Sequence, residues 1–203
     1  MDAVIVFLLI AAVIALIVMQ IGGAIGALFF GRKLPWIWFA LAVLVLVMKV
    51  THVALYRETD GLRAIASLVA GFLAAGLALL AQRRFPHAVL LVGGFLAAGL
   101  TIIQVLGPLL NPFPQWLVIT LLVAGGIAGA LWTRTNQDTA TIVLSALIGA
   151  GVLTDEIVTL MQIDETSRFQ VYAVIALIGV GFQFWQERRQ RRAAPPRAEG
   201  ASA

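Results

Sequence analysis

The chain has 203 residues, of which 61% are hydrophobic and only 12% charged. Soluble domains carry about a quarter charged residues, so a water-soluble core is excluded. The absence of cysteine excludes disulfides, thiolate metal sites and a cysteine nucleophile, and the formal net charge of +4 falls in gaps between apolar runs, where it reads as a topology signal and a contact with anionic lipid rather than nucleic-acid binding.

A helix crosses the roughly 30 Å of bilayer hydrocarbon with about 20 apolar residues. Seven such runs are predicted, at about 3–30, 35–56, 62–82, 88–107, 115–133, 139–161 and 168–187. Met1-Asp2-Ala3 lacks the positive start of a signal peptide, so the first helix is expected to be retained. That helix exceeds the bilayer thickness and is expected to tilt, or to bend at Gly22-Gly23. Pro35 and Pro86 open the second and fourth helices, where a missing N–H costs nothing. Gly107-Pro108 and Asn111-Pro112-Phe113-Pro114 make the connection between the fourth and fifth irregular. Asn136 and Asp138 are expected to cap the sixth helix, and Thr166 or Ser167 the seventh.

The helices form one membrane domain over 1–187. From 188 to 203 the chain turns basic, with Arg188-Arg189-Gln190-Arg191-Arg192, and is expected to be a disordered lipid-anchoring tail. Lys and Arg distribute unevenly over the connections. Arg32, Lys33, Arg83, Arg84, Arg134 and the arginines from Arg188 to Arg197 fall on one side, against Arg57, Arg63 and Arg168 on the other. The positive-inside rule then places the N-terminus outside and the C-terminus in the cytoplasm of a plasma or bacterial inner membrane.

Small residues form stripes. Gly71, Ala74, Ala75 and Ala78 share one face of the third helix, and Gly94, Ala97, Ala98 and Thr101 one face of the fourth. Gly126 and Gly129 make a similar patch on the fifth, whose Gly125-Gly126-Ile127-Ala128-Gly129 echoes Gly22-Gly23-Ala24-Ile25-Gly26 of the first. Small stripes let backbones approach closely in lipid, and the third and fourth helices are expected to pack stripe on stripe.

Charge inside a spanning helix costs about 2.5–3.5 kcal/mol at the centre and marks function or pairing. Lys49 in the second helix, and Asp155 and Glu156 in the sixth, are such charges. Both helices run outward, and Lys49 and Asp155 lie at matching depths, about 10 Å below the outer end at 1.5 Å per residue. Lys49, His52 and Tyr56 share one face, as do Asp155 and Thr159, with Gln104 and Gln170 in the same layer. Lys49 is expected to pair with Asp155 or Glu156, either as a structural ion pair or as part of a ligand or ion site; a snorkelling lysine is the third reading. Gln20 and Gln183 are expected to be interhelical hydrogen-bonding links. His52 has no partner at metal-ligand spacing, and no cofactor motif occurs. Asp155 and Glu156, adjacent on a helix, diverge by about 100° and make a poor acid–base pair, so no enzymatic activity is expected.

Gly26 through Phe29-Phe30-Gly31-Arg32, the glycine-rich 71–100 region, and Ser145-Ala146-Leu147-Ile148-Gly149 followed by Asp155 resemble the seven-helix domain shared by transmembrane protein 198 and seven-transmembrane superfamily member 3. Lys49 and His52 depart from the pattern. The resemblance implies a seven-helix fold with an outside N-terminus and a role as a membrane scaffold, without catalytic residues to carry over. The sequence therefore points to an all-α integral membrane bundle acting as a scaffold. Alternatives are a small solute or ion transporter or channel using the outer polar layer, and a receptor-like binder. A homo-oligomer or another membrane protein is the possible partner besides lipid.

Overall fold

The computed structural model describes residues 3–55, 59–110 and 114–193. Among them all regular structure is helical: α1 (Ala3–Phe30), α2 (Pro35–Ala54), α3 (Asp60–Arg84), α4 (Pro86–Leu110), α5 (Gln115–Thr135), α6 (Gln137–Met161) and α7 (Glu165–Ala193). Six of these, α2 to α7, are long and apolar enough to cross a membrane, and α1 adds the apolar stretch Ile17–Phe30. Leucines such as Leu73, Leu77 and Leu177 lie exposed on the outside of the bundle, as a bilayer-facing surface requires.

The turns at Phe85 and Asn136 are tighter than the sequence suggested, while the turn at Leu34 has the expected limits. Leu34, Phe85 and Asn136 each form a turn with φ between −127° and −136° and ψ between 62° and 64°. Phe85 and Asn136 each close one helix and open the next, whereas residues 31–33 separate the end of α1 from Leu34. The Phe85 N–H donates to the Ala81 carbonyl at 2.8 Å, and its own carbonyl accepts from Val89 at 3.0 Å. Asn136 does the same between Trp132 and Ala140. The three positions recur at intervals of 51 residues, so the first six helices are three similar hairpins whose turns carry the arginines.

The expected caps are not made. Asn136 holds the cap position of α6 but makes no side-chain cap bond, because its backbone already serves two helices. Thr166 and Ser167 lie inside the first turn of α7, which starts at Glu165. At its other end α7 runs on through the arginines to Ala193, where disorder from 188 was expected. Arg, Gln and Ala are good helix formers, and Glu187 pairs with Arg191 one turn on at 2.6 Å. The remainder of the tail, 194–203, lies outside the described residues.

α6 is the most buried of the spanning helices and packs against α1, α2, α4, α5 and α7. Trp38, Leu41, Leu44 and Val45 of α2 join Leu144, Ile148 and Val152 of α6 in the main core. The expected stripe-on-stripe packing of α3 and α4 does not occur. Gly71 instead receives Leu44 and Met48 of α2, while Gly94 receives Gly129 and Thr133 of α5. Ala98 also lies on Gly129, and Gly126 lies under the Phe95 ring. The stripes are used, but against different neighbours, because the ridges that fill them sit on α2 and α5. Ala75 is buried in the main core.

Gly149 shows how tight these crossings are. A Cβ there would stand 2.6 Å from the Ala24 carbonyl oxygen and 2.8 Å from the Leu28 nitrogen, both backbone atoms that cannot yield. Gly149→Ala is expected to lower stability by about 2–3 kcal/mol through overpacking. Gly76→Ala and Gly181→Ala, where a Cβ meets nothing within 4 Å, are expected to raise it by about 0.5–1 kcal/mol. Thermal unfolding in detergent checks both signs.

Candidate functional site

At the end of the bundle away from the arginine-bearing turns, α1, α2, α3, α6 and α7 border a cavity of about 560 Å³. Its deep part is apolar, with Val45 and Met48 from α2 and Val152 from α6. One turn higher stand the polar groups. Lys49 and His52 share a face of α2 at i, i+3 spacing, and Asp155 faces them from α6. The Lys49 Nζ lies 3.8 Å from Asp155 Oδ2. Asp155 is also paired, more closely, with Arg168 from the first turns of α7. Gln20 of α1 and two hydroxyls also line the cavity, and both hydroxyls donate to their own helices. Thr159 Oγ1 donates to the Asp155 carbonyl at 2.7 Å, and Ser67 Oγ to the Ala64 carbonyl at 2.9 Å.

The polar layer expected from the sequence is thus divided. Lys49, His52 and Asp155 come together. Glu156 does not join them: its carboxylate turns to α1, where Gln20 Nε2 donates to it at 3.4 Å. Neighbouring residues on a helix point about 100° apart, so Asp155 and Glu156 serve different partners. Gln104 does not line the cavity either, because its amide packs against Gly151 of α6. Tyr56 lies outside the described residues. Arg168 was missed, having been counted as a connection charge. The signal was available in its position one turn into a helix that starts at Glu165, which sets it level with Asp155.

A second polar cluster ties α1, α6 and α7 together at the arginine-rich end. Gln183, only 3% exposed, reaches the end of α1. Its Nε2 donates to the Leu28 carbonyl at 2.8 Å and to Ser145 Oγ at 3.1 Å, while its Oε1 accepts from the Arg32 N–H at 3.3 Å. These bonds satisfy backbone groups that a helix end otherwise leaves orphaned. Arg32 then bridges Glu187 at 3.3 Å and Asp138 at 3.2 Å. Sequence reasoning foresaw Gln183 as a link but not the charges around it, which lie far apart along the chain. Among the described residues no group of three His, Cys, Asp or Glu side chains is arranged to hold a metal ion.

Residues 16–155 match the TM7S3/TM198-like domain. The chain belongs to this family. The match begins within α1 and ends at Asp155 within α6, so it takes in the three hairpin turns and stops before α7. Comparison with curated proteins and with solved structures gave no match. In this family member Lys49, His52 and Asp155 thus fall inside the matched segment, whereas Arg168, Gln183 and Glu187 fall beyond it.

Asp155 is shared by two cations, while Lys49 has a partner only at the edge of ion-pairing distance. Asp155→Asn is therefore expected to cost about 1–2 kcal/mol, less than the 3–5 of a fully buried pair, because these side chains keep partial solvent contact. Lys49→Met is expected to change stability by no more than about 0.5 kcal/mol. Gln183→Leu removes several buried bonds at once and is expected to cost about 2–3 kcal/mol. Melting temperatures of the three variants in one detergent rank these effects.

Proposed function

We propose that this chain is a non-enzymatic, receptor-like membrane protein that binds a small ligand in the cavity between α1, α2, α3, α6 and α7. The observation that carries this reading is the cavity itself. Its volume of about 560 Å³ lies within the range of about 300–1,000 Å³ typical of ligand sites, and it combines an apolar floor with a few convergent polar groups. Beneath that floor the core is filled by Trp38, Leu41, Leu44, Leu144 and Ile148, which favours a binding site entered from one side over an open channel. A carrier would have to part this core and the glycine crossings that hold it. The scaffold reading rests on the fold alone, without an observation that selects it.

The charge distribution supports an orientation. Arg32, Lys33, Arg83, Arg84, Arg134 and the arginines at the end of α7 belong to one end of the bundle. The positive-inside rule puts that end in the cytoplasm. The cavity then faces the outside of a plasma or bacterial inner membrane, and the arginine-rich end meets anionic lipid.

The absence of cysteine makes a direct test available. In single-cysteine variants in sealed vesicles or cells, Met48→Cys, which lines the cavity, is expected to react with a small membrane-impermeant thiol reagent added outside. Val50→Cys, two residues on and exposed on the outer surface of the bundle, is expected to stay unreactive in lipid. Gln190→Cys is expected to react only after permeabilisation. An unreactive Met48→Cys contradicts the cavity reading, and Gln190→Cys reacting from outside reverses the orientation.

A further inference from the structure

We propose that the cavity takes an amphiphilic organic anion, an alkyl carboxylate or alkyl phosphate, with its head on Lys49 and His52 and its apolar body on Val45, Met48 and Val152. This rests on the binding reading above and specifies the ligand's class.

A lysine ammonium carries three N–H donors. The 3.8 Å separation between Lys49 and Asp155 lies beyond hydrogen-bond range, so the pair leaves those donors available. Arg168 holds Asp155 more closely than Lys49 does. Of the charged groups lining the cavity, two are cations and one is an anion. The second carboxylate of α6, Glu156, is not itself in the lining and is engaged by Gln20, whose side chain borders the cavity from α1. A cationic ligand would need a carboxylate not already held, and the lining provides none.

The two hydroxyls sharpen the choice. Ser67 and Thr159 both donate their protons to their own backbones, so Lys49 and His52 are the donors left on the α2 wall. Below them the lining is apolar, with Val45 one helical turn deeper than Lys49 and Val152 about one turn deeper than Asp155. A polar rim over an apolar floor matches a molecule with one charged head and a hydrocarbon body. The head chemistry is common to soluble amphiphiles and to the phosphates of bilayer lipids.

The test uses the full chain with Met48→Cys in vesicles of zwitterionic lipid and an uncharged, membrane-impermeant thiol reagent. Octanoate and octyl phosphate are expected to slow modification by about tenfold at ten times their dissociation constants, and octylammonium is not. Adding Lys49→Gln is expected to weaken protection on the order of tenfold, and Lys49→Arg to retain it, which separates loss of charge from loss of fold. Equal protection by octylammonium, or full protection with Lys49→Gln, overturns the proposal. So does a cysteine that reacts but is never protected, while the cavity reading stands. A cysteine that never reacts removes both. Phosphatidylglycerol in the vesicles distinguishes the sources. Slowing by this lipid alone, relieved by Lys49→Gln, identifies a headgroup as the occupant; slowing by the soluble anions only identifies a soluble one.

Discussion

Gly149 sits where the backbones of α6 and α1 come too close to admit a single methyl group, and the arrangement of the bundle follows from contacts of that kind. Lipid tails are as apolar as leucine side chains, so burial from water cannot drive helix association inside a bilayer. Close backbone approach and dense packing must do so instead. α6 meets this requirement along most of its length, with Ser145, Ala146, Gly149, Ala150 and Gly151 all buried. Its small side chains let α1, α2, α4 and α7 draw in around it. Gly94 and Gly129 repeat the device between α4 and α5.

Polar links then fix what close packing leaves free. Small residues allow helices to slide past one another, since a smooth surface has little register. Gln183 at one end and the Asp155 pairs at the other hold α7 against α1, α2 and α6 at two heights. The two clusters differ in kind. Gln183 is buried and its amide is engaged on both sides, which suits a fixed joint. Lys49 borders open space with a distant partner, which suits a group that has a further task.

The number and approximate limits of the helices were legible because each run of apolar residues matches the bilayer and because Pro35 and Pro86 mark the starts. The matching depths of Lys49 and Asp155 were legible from the helical rise. Helix neighbours were not. The third and fourth helices are adjacent in sequence and both carry stripes, yet Gly71 faces Met48 and Gly94 faces Thr133. A stripe states that something comes close without stating what. Glu156 and Gln20 lie 136 residues apart, and no local pattern joins them. Arg168 was hidden by a different cause: a start two or three residues earlier for α7 converts a loop charge into a wall of the cavity.

The turns at Leu34, Phe85 and Asn136 divide the chain into three like hairpins, and α7 has no counterpart among them. That odd helix carries Arg168, Gln183 and Glu187, the side chains that complete both polar clusters. During synthesis the three hairpins emerge first, each able to enter the bilayer as a pair. Until the last helix follows, Asp155 lacks its arginine and the end of α1 lacks the glutamine that closes it. The final segment thus acts as the keystone of a nascent bundle, and a chain cut short after α6 would enter the membrane without being latched.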